Sequence, residues 1–409
     1  RSCAKLAYDD AQSVIETDKL PKDLVLEEGV DREGVEKDIK YLATLARKMR
    51  QRRFDTGSLS INSISLSFQL DEEGKPIGVS IYQQKEANKV IEEFMLLANM
   101  SVAHKLHQVY PEEALLRQHG PPKEKALNKF LKIAESLGYP LDGSSAGSLQ
   151  ASLNAITSEH VKQVLEILAA KPMQRAKYFC AGTPNVAKFQ HYALNIPLYT
   201  HFTSPIRRFA DVVVHRQLKA ALSKKASSGY SREKVEKVAH QCNDKKESAK
   251  NVEDDTKRVY LAYYLDMLER KQEKPIKCKA IVTSLDKEAI EVLVPDYGIE
   301  KRIFMDALPL SRFVYNPKNF TLNAYWKANI EVNLEWEEQR KATPLEGLPT
   351  GAELYKSSVP VTPELLAEQN IDKNTRMQRF SVLGEIEVRL QTDLERSPPA
   401  TFVFPVNPF

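Results

Sequence analysis

The feature that most constrains this chain is a change of hydrophobic period near Gln272. Before it, apolar residues recur at helical spacing; after it, in "EKPIKCKAIVTSLDKEAIEVLVPDYGIEKRIFM", they fall into short alternating runs. A helix-period segment does not settle as a strand, so the expected fold is α+β with the two kinds of element segregated along the chain. The division predicted is a helix-rich unit at 1–272 and a small OB-type β-barrel at 273–409. "ANIEVNLEWE" and "RFSVLGEIEVRLQ" continue the β theme, and the polar, proline-punctuated stretch at 338–378 reads as a long insertion. Five short strands with one expanded loop are the expectation.

The first part divides further. Ala4 to about Leu45 is helical in period, interrupted around Lys22 to Asp31. Ile64, Leu66, Phe68 and Leu70 alternate with polar residues, "DEEGKP" supplies a turn, and "IGVSIYQQ" returns, which predicts a hairpin. Lys85 to His107 carries a broad apolar stripe, as a mostly buried helix does. Helices are predicted over Lys123–Leu137, stopped by Gly138, and over Ser148–Ile156 and Ser158–Ala170. From Tyr230 to Gln272 a long charged segment has Val235, Val238, Cys242, Val259, Leu265 and Leu268 as its inward candidates.

A length of 409 residues allows two or more sizeable cores, and 28% charged with 42% hydrophobic residues is an ordinary globular balance. A formal charge of +4 is too small to mark a nucleic-acid partner by itself, so any basic surface must be local. Four scattered cysteines lack zinc or disulfide spacing and suit a reducing, cytoplasmic setting. No long apolar run or signal-peptide pattern calls for a membrane. The opening "RSCAKLAYDDAQSVIE" has no initiator Met and reads as the middle of a domain, so a piece of a longer protein is expected.

The segment richest in chemistry is "LYTHFTSPIRRFADVVVHRQL", residues 198–218. Ser204 suits an N-cap and Pro205 a first helical position, which predicts a helix starting there with Ile206, Phe209, Ala210, Val213 and Val214 inward. Arg207 and Arg208 would then occupy the first turn, where the helix dipole already favours anions. Free N–H groups, the Thr203 or Ser204 hydroxyl and the guanidiniums would together form a phosphate site, with Asp211 holding Arg207 in one rotamer. The same spacing also suits a structural Arg207–Asp211 ion pair with Arg208 exposed. His191, His201 and His215 have no usual metal spacing and are expected to be structural. Tyr199, Phe202 and Phe209 flank the arginines, Phe209 in register with the core.

This segment resembles the signature of the RNase II/RNB family of processive 3′-to-5′ exoribonucleases. "NKVIEEFMLLANMSVAHKL", "RSCAKLAYDDAQ", "MQRAKYFCAG" and "KFQHYALNIPLYTHF" complete a collinear series, and the β-rich part resembles the family's terminal S1 domain. The resemblance implies that Arg207 contacts the scissile phosphate, Tyr8 the adjoining sugar-phosphate and Glu93 the terminal ribose, with Asn99 facing the same centre. Tyr199, His201, Thr203, Ser204 and Arg208 are the neighbouring RNA-binding candidates. In the barrel, Tyr297, Arg302 and Phe304 are placed to meet RNA, or equally to pack in a β-core. The motif wording is nearest to the cytoplasmic, exosome-independent branch that degrades RNA with a 3′ uridine tail.

Two-metal hydrolysis needs clustered carboxylates around Mg²⁺ ions roughly 3.5–4 Å apart. The family carries them as aspartates upstream of the tyrosine motif, a segment this sequence does not include. Asp9 and Asp10, or Asp254 and Asp255, would diverge by about 100° on a helix and make poor joint ligands. No metal ligand is assigned here. Three readings follow: the C-terminal part of an active enzyme whose upstream segment holds the metal, an RNA-binding pseudonuclease, or a scaffold in a decay complex.

Overall fold

The computed structural model describes residues 3–61, 65–183, 189–317, 319–342, 353–354 and 371–409. Helices dominate as far as residue 272: α1 Tyr8–Thr17, α2 Arg32–Asp55, α3 Glu86–Val109, α4 Glu124–Ser136, α5 Ala146–Asn154, α6 Glu159–Ala170, α7 Phe209–Leu222 and α8 Arg232–Gln272. Local signals place several ends. Asp31 accepts from the backbone N–H groups of Glu33 and Gly34, Ser158 caps α6, Ser231 caps α8, and Gly138 follows α4 at φ +84°. β1 Leu66–Leu70 and β2 Pro76–Ile81 form the expected hairpin; Ile64 lies outside the described residues.

One pair of strands escaped the sequence reading. β3 Leu115–Gln118 and β4 Lys177–Cys180 are four residues each and pair antiparallel, Arg117 opposite Tyr178. Their residues are mostly buried, so they show no alternation to detect.

After residue 275 the chain is β-rich. β5 Ile276–Leu285, β6 Ala289–Val294, β7 Ile299–Phe304, β13 Glu385–Asp393 and β14 Ala400–Pro405 form a nearly closed antiparallel barrel sheet in the order β14-β13-β5-β6-β7. A second sheet, which the five-strand expectation omitted, contains β8 Leu310–Asn316, β9 Thr321–Trp326 and β12 Met377–Ser381, edged by β10 Glu353–Leu354 and β11 Ile371–Asp372. "ANIEVNLEWE" is not a strand: 328–333 is irregular and α9 Leu334–Ala342 follows. Most of the predicted insertion lies outside the described residues.

The two parts share apolar contacts. Leu261 and Leu265 of α8 and Ile133 and Leu137 at the end of α4 belong to the same core as Ile290, Phe313 and Val388 of the sheets. At its other end α8 packs Val235 and Ala239 with Val213 and Val214 of α7. At 1.5 Å per residue this 41-residue helix is about 60 Å long.

Candidate RNA-phosphate site

The arginine pair is arranged differently from the sequence expectation. Residues 205–207 form a turn, with the Arg207 and Arg208 amides donating to the Ser204 carbonyl (3.3 and 3.1 Å), and α7 starts only at Phe209. Arg208, at φ −130° and ψ 115°, is the N-cap residue and interrupts the helical path. Ser204 is therefore no cap, and Ile206 (96% exposed) and Phe209 (56%) are not core. Ala210, Val213 and Val214 are buried as expected.

Asp211 explains the shift. Its fully buried carboxylate accepts from the Ser204 amide (2.7 Å) and from Nε and Nη2 of Arg208 (both 2.8 Å). One side chain thus ties the start of the turn to its end, in a bidentate charge-assisted geometry. The ion pair is Arg208–Asp211, not Arg207–Asp211. Arg207 is left exposed, its Nη2 3.5 Å from Ser204 Oγ.

Behind the turn, buried polar contacts fix the approach. Asn99 of α3 donates through Nδ2 to Tyr199 Oη (3.0 Å), and its Oδ1 accepts from the Phe202 amide (2.8 Å). His201 Nδ1 lies 2.6 Å from Tyr178 Oη. Burial, with Arg117 and Arg208 adding to it, pushes the His201 pKa down to about 2. His191 falls to about 3 through burial, then His119 and Arg117. Both imidazoles are neutral. His215 Nε2 lies 2.9 Å from the Phe202 carbonyl oxygen, and its ring stacks on Phe202 at 4.2 Å. Thr203 is half-buried beside the turn.

The structure thus brings Asn99, Tyr199, His201, Thr203, Ser204, Arg207 and Arg208 together. Glu93, the residue that the resemblance sets against the terminal ribose, is engaged by two arginines of α2. It is buried and accepts from Arg53 Nη2 (2.5 Å), Arg53 Nε (3.2 Å) and Arg50 Nη1 (3.3 Å), joining α2 to α3. Tyr8 is 48% exposed at the start of α1, and Gln12 of that helix accepts from the Ala87 amide of α3 (2.9 Å). In the barrel Tyr297 is half-buried against the core. Arg302 pairs with Asp286 (2.6 Å), its guanidinium 5.3 Å from the Phe304 ring centre. Phe304 is 46% exposed.

The four aspartates weighed as magnesium ligands each have another partner and do not converge on a common site among the described residues. Asp9 pairs with Lys85, Asp10 accepts from the Ala7 amide (2.7 Å), Asp254 pairs with Lys250 (2.9 Å) and Asp255 with Arg258 (3.1 Å). Among the described residues no group of three His, Cys, Asp or Glu could hold an ion, and no helix is long and apolar enough to cross a membrane.

Arg117 and Lys246 are two cations near Tyr178 that the sequence reading did not single out. Arg117 is buried on a strand too short to register, with its guanidinium 5.0 Å from the Tyr178 ring centre. Lys246 sits among many charges on α8, where nothing in the sequence singles it out.

The RNB domain model matches residues 1–224, and the model for the DIS3-like exonuclease 2 C terminal matches 275–348. DIS3-like exonuclease 2 of Xenopus tropicalis is 41% identical over 357 residues, covering 83% of this chain and 40% of that protein. The chain spans about two fifths of the length of the curated relatives it matches first. Among solved structures, yeast Ssd1, described as a pseudonuclease, aligns at TM-score 0.71 and 22% identity over 99% of this chain and 53% of its own. Mycoplasma genitalium RNase R, in complex with ribose-methylated single-stranded RNA, aligns at 0.68 and 18% identity over 97% and 53%. These two show the fold; the RNB match over more than half of the chain, spanning α1, α3 and the arginine turn, places it in the RNase II/RNB exoribonuclease family.

Proposed function

We propose that this chain is the C-terminal part of a processive 3′-to-5′ exoribonuclease acting on single-stranded RNA, including RNA with a 3′ uridine tail, in the cytoplasm. The observation that carries the reading is the exposed Arg207 on a turn clamped by the buried Arg208–Asp211 pair. The clamp fixes the backbone that carries Arg207 and presents its exposed guanidinium to solvent, where a phosphate would meet it. The exposed Phe209 beside it offers a stacking face for a base, worth about 1–3 kcal/mol. Tyr8 is read as a sugar-phosphate contact, and Tyr199, His201, Thr203 and Ser204 as the wall that orients the strand. Asn99 holds that wall through Tyr199 and Phe202.

The boundary at 272/273 is read as separating the RNB unit from an S1-type RNA-binding unit in which Tyr297 and Arg302 meet the strand. Carboxylates of an upstream segment of the same protein would hold Mg²⁺. The engagement of Asp9, Asp10, Asp254 and Asp255 by other partners also suits a second reading, a pseudonuclease that uses the same clamp to bind RNA without cutting it.

A gel time course of 5′-labelled single-stranded RNA with a 3′ uridine tail, on the full protein with Mg²⁺ or EDTA, tests the proposal. Metal-dependent shortening to a short 5′ product is expected. Intact RNA in a shifted complex selects the pseudonuclease, and RNA neither bound nor cut overturns both.

A further inference from the structure

The two arginines of the turn part company: Arg207 is exposed, while Arg208 is half-buried on the Asp211 carboxylate. Arg117 on β3 lies across the ladder from Tyr178 on β4, with its guanidinium over that ring. Tyr178 is tied to α8, where Asn243 accepts from its amide (2.8 Å) and donates to its carbonyl (2.9 Å). Lys246 is three residues further along α8, on the same side one turn on. The Tyr178 hydroxyl meets His201, whose neutral ring feels Arg117, Arg208 and Lys246 together.

Counting partners reveals an imbalance. Asp211 is consumed by Arg208 and the Ser204 amide. Glu247, next to Lys246, pairs with Arg175 (3.3 Å). Arg117 is 6% exposed, makes no ion pair among the described residues, and its Nη1 is buried without a hydrogen-bond partner. A buried guanidinium N–H left unpaired is costly, and native structures rarely keep one unless a ligand or water completes it. Lys246 likewise has no carboxylate partner among the described residues. Desolvation, then Arg117, Arg208 and Arg175, lower its pKa to about 8.

We infer that Arg117, Arg208 and Lys246 form a second phosphate site behind the Arg207 turn, in which a phosphate oxygen completes the unpaired Nη1 of Arg117. This rests on the RNA-directed reading above and deepens it: two neighbouring phosphates would be held, one by Arg207 and one by this inner trio. The chemistry of the site suits either an internal phosphodiester or the terminal phosphate of a released nucleotide. Arg208 serves both sites, since the Asp211 bonds that fix the turn also fix its guanidinium.

The test is calorimetric titration of the full chain with inorganic phosphate, uridine 5′-monophosphate and a short oligouridylate lacking terminal phosphates. Saturable binding by at least one of them is expected, weakened about 10-fold or more in both Arg117→Gln and Lys246→Gln. Tighter binding of the monophosphate identifies the terminal phosphate as the ligand, and tighter binding of the oligonucleotide the internal diester. Because Arg117→Gln disturbs a buried position, Lys246→Gln and an NMR titration of the Lys246 ammonium in the unaltered chain provide independent readings. Phosphate should raise that lysine's pKa. No binding in any arm, or binding unchanged in both variants, overturns the site. The titration requires no cleavage, so loss of the nuclease reading alone would leave this result standing.

Discussion

Replacing Asp211 removes the clamp beneath Arg207, and the cost follows from its contacts. The buried carboxylate receives two charge-assisted bonds from Arg208 and one from the Ser204 amide. The first two contribute about 1.5–3 kcal/mol each and the third about 1 kcal/mol, a gross loss of roughly 4–7 kcal/mol. Arg208 keeps 21% of its side-chain surface in water and regains solvation once released, so the lower part of the 3–5 kcal/mol typical of a broken buried pair applies. Asp211→Ala is therefore expected to destabilise the chain by about 3 kcal/mol, and Asp211→Asn, which preserves an acceptor for Ser204, by about 2 kcal/mol. Urea unfolding at pH 7, followed by circular dichroism on Asp211→Ala, Arg208→Ala and the double variant, measures this. The cycle should show a coupling of at least ~1.5 kcal/mol. A loss under ~1 kcal/mol for Asp211→Ala, or strict additivity, would refute the view of this pair as the clamp of the turn.

Four further outcomes are expected. Arg207→Ala should slow RNA cleavage by roughly 100-fold or more while weakening binding far less, and equal losses in both would remove its transition-state role. Glu93→Gln leaves Arg50 and Arg53 short of a buried counter-charge and should cost about 2–4 kcal/mol in urea unfolding; a neutral result would mean the α2–α3 pairing carries no stability. His191 and His201 are neutral in the fold with pKa values near 3 and 2, whereas in the unfolded chain they protonate near pH 6.5. The unfolded state thus binds more protons below that pH, so their stabilisation is complete above pH ~6.5 and declines as the pH falls toward 3; His201→Phe should flatten this acid limb in thermal melts. Gly147→Ala would bring a methyl to 2.7 Å from the Gly57 Cα, and melts should show a loss of about 1–3 kcal/mol, with no loss meaning that this close approach relaxes freely.

Periodicity carried much of the fold. The stripes of α3 and α4 were legible because one face of each is buried against something continuous, and the β-rich part was legible from its runs of β-branched residues, although β6 is buried at all but one position. β3 and β4 were not, being short and buried on both faces. "ANIEVNLEWE" alternates like a strand yet ends in a helix, since Asn333 caps the turn by accepting from the Trp336 amide (2.9 Å). At the candidate site, residue types were legible but geometry was not. Ser-Pro normally opens a helix, and here a carboxylate seven residues away overrides it by bonding the Ser204 amide. That tertiary contact also reversed the roles of the two arginines and left Phe209 in solvent.

α8 has buried residues toward both ends but none between Ala239 and Leu261, a span of about 33 Å. Its middle, mostly exposed apart from the Asn243 and Tyr260 contacts, carries Lys250–Asp254 and Glu253–Lys257 pairs one turn apart. Such an element behaves as a strut, not a hinge: a 1 Å sideways displacement at the barrel end corresponds to a tilt of only about 1° over the whole rod. The opposite end grips the Tyr178 backbone through Asn243. One continuous helix therefore joins the core of the β-rich part, through Leu261 and Leu265, to the strand that carries Tyr178.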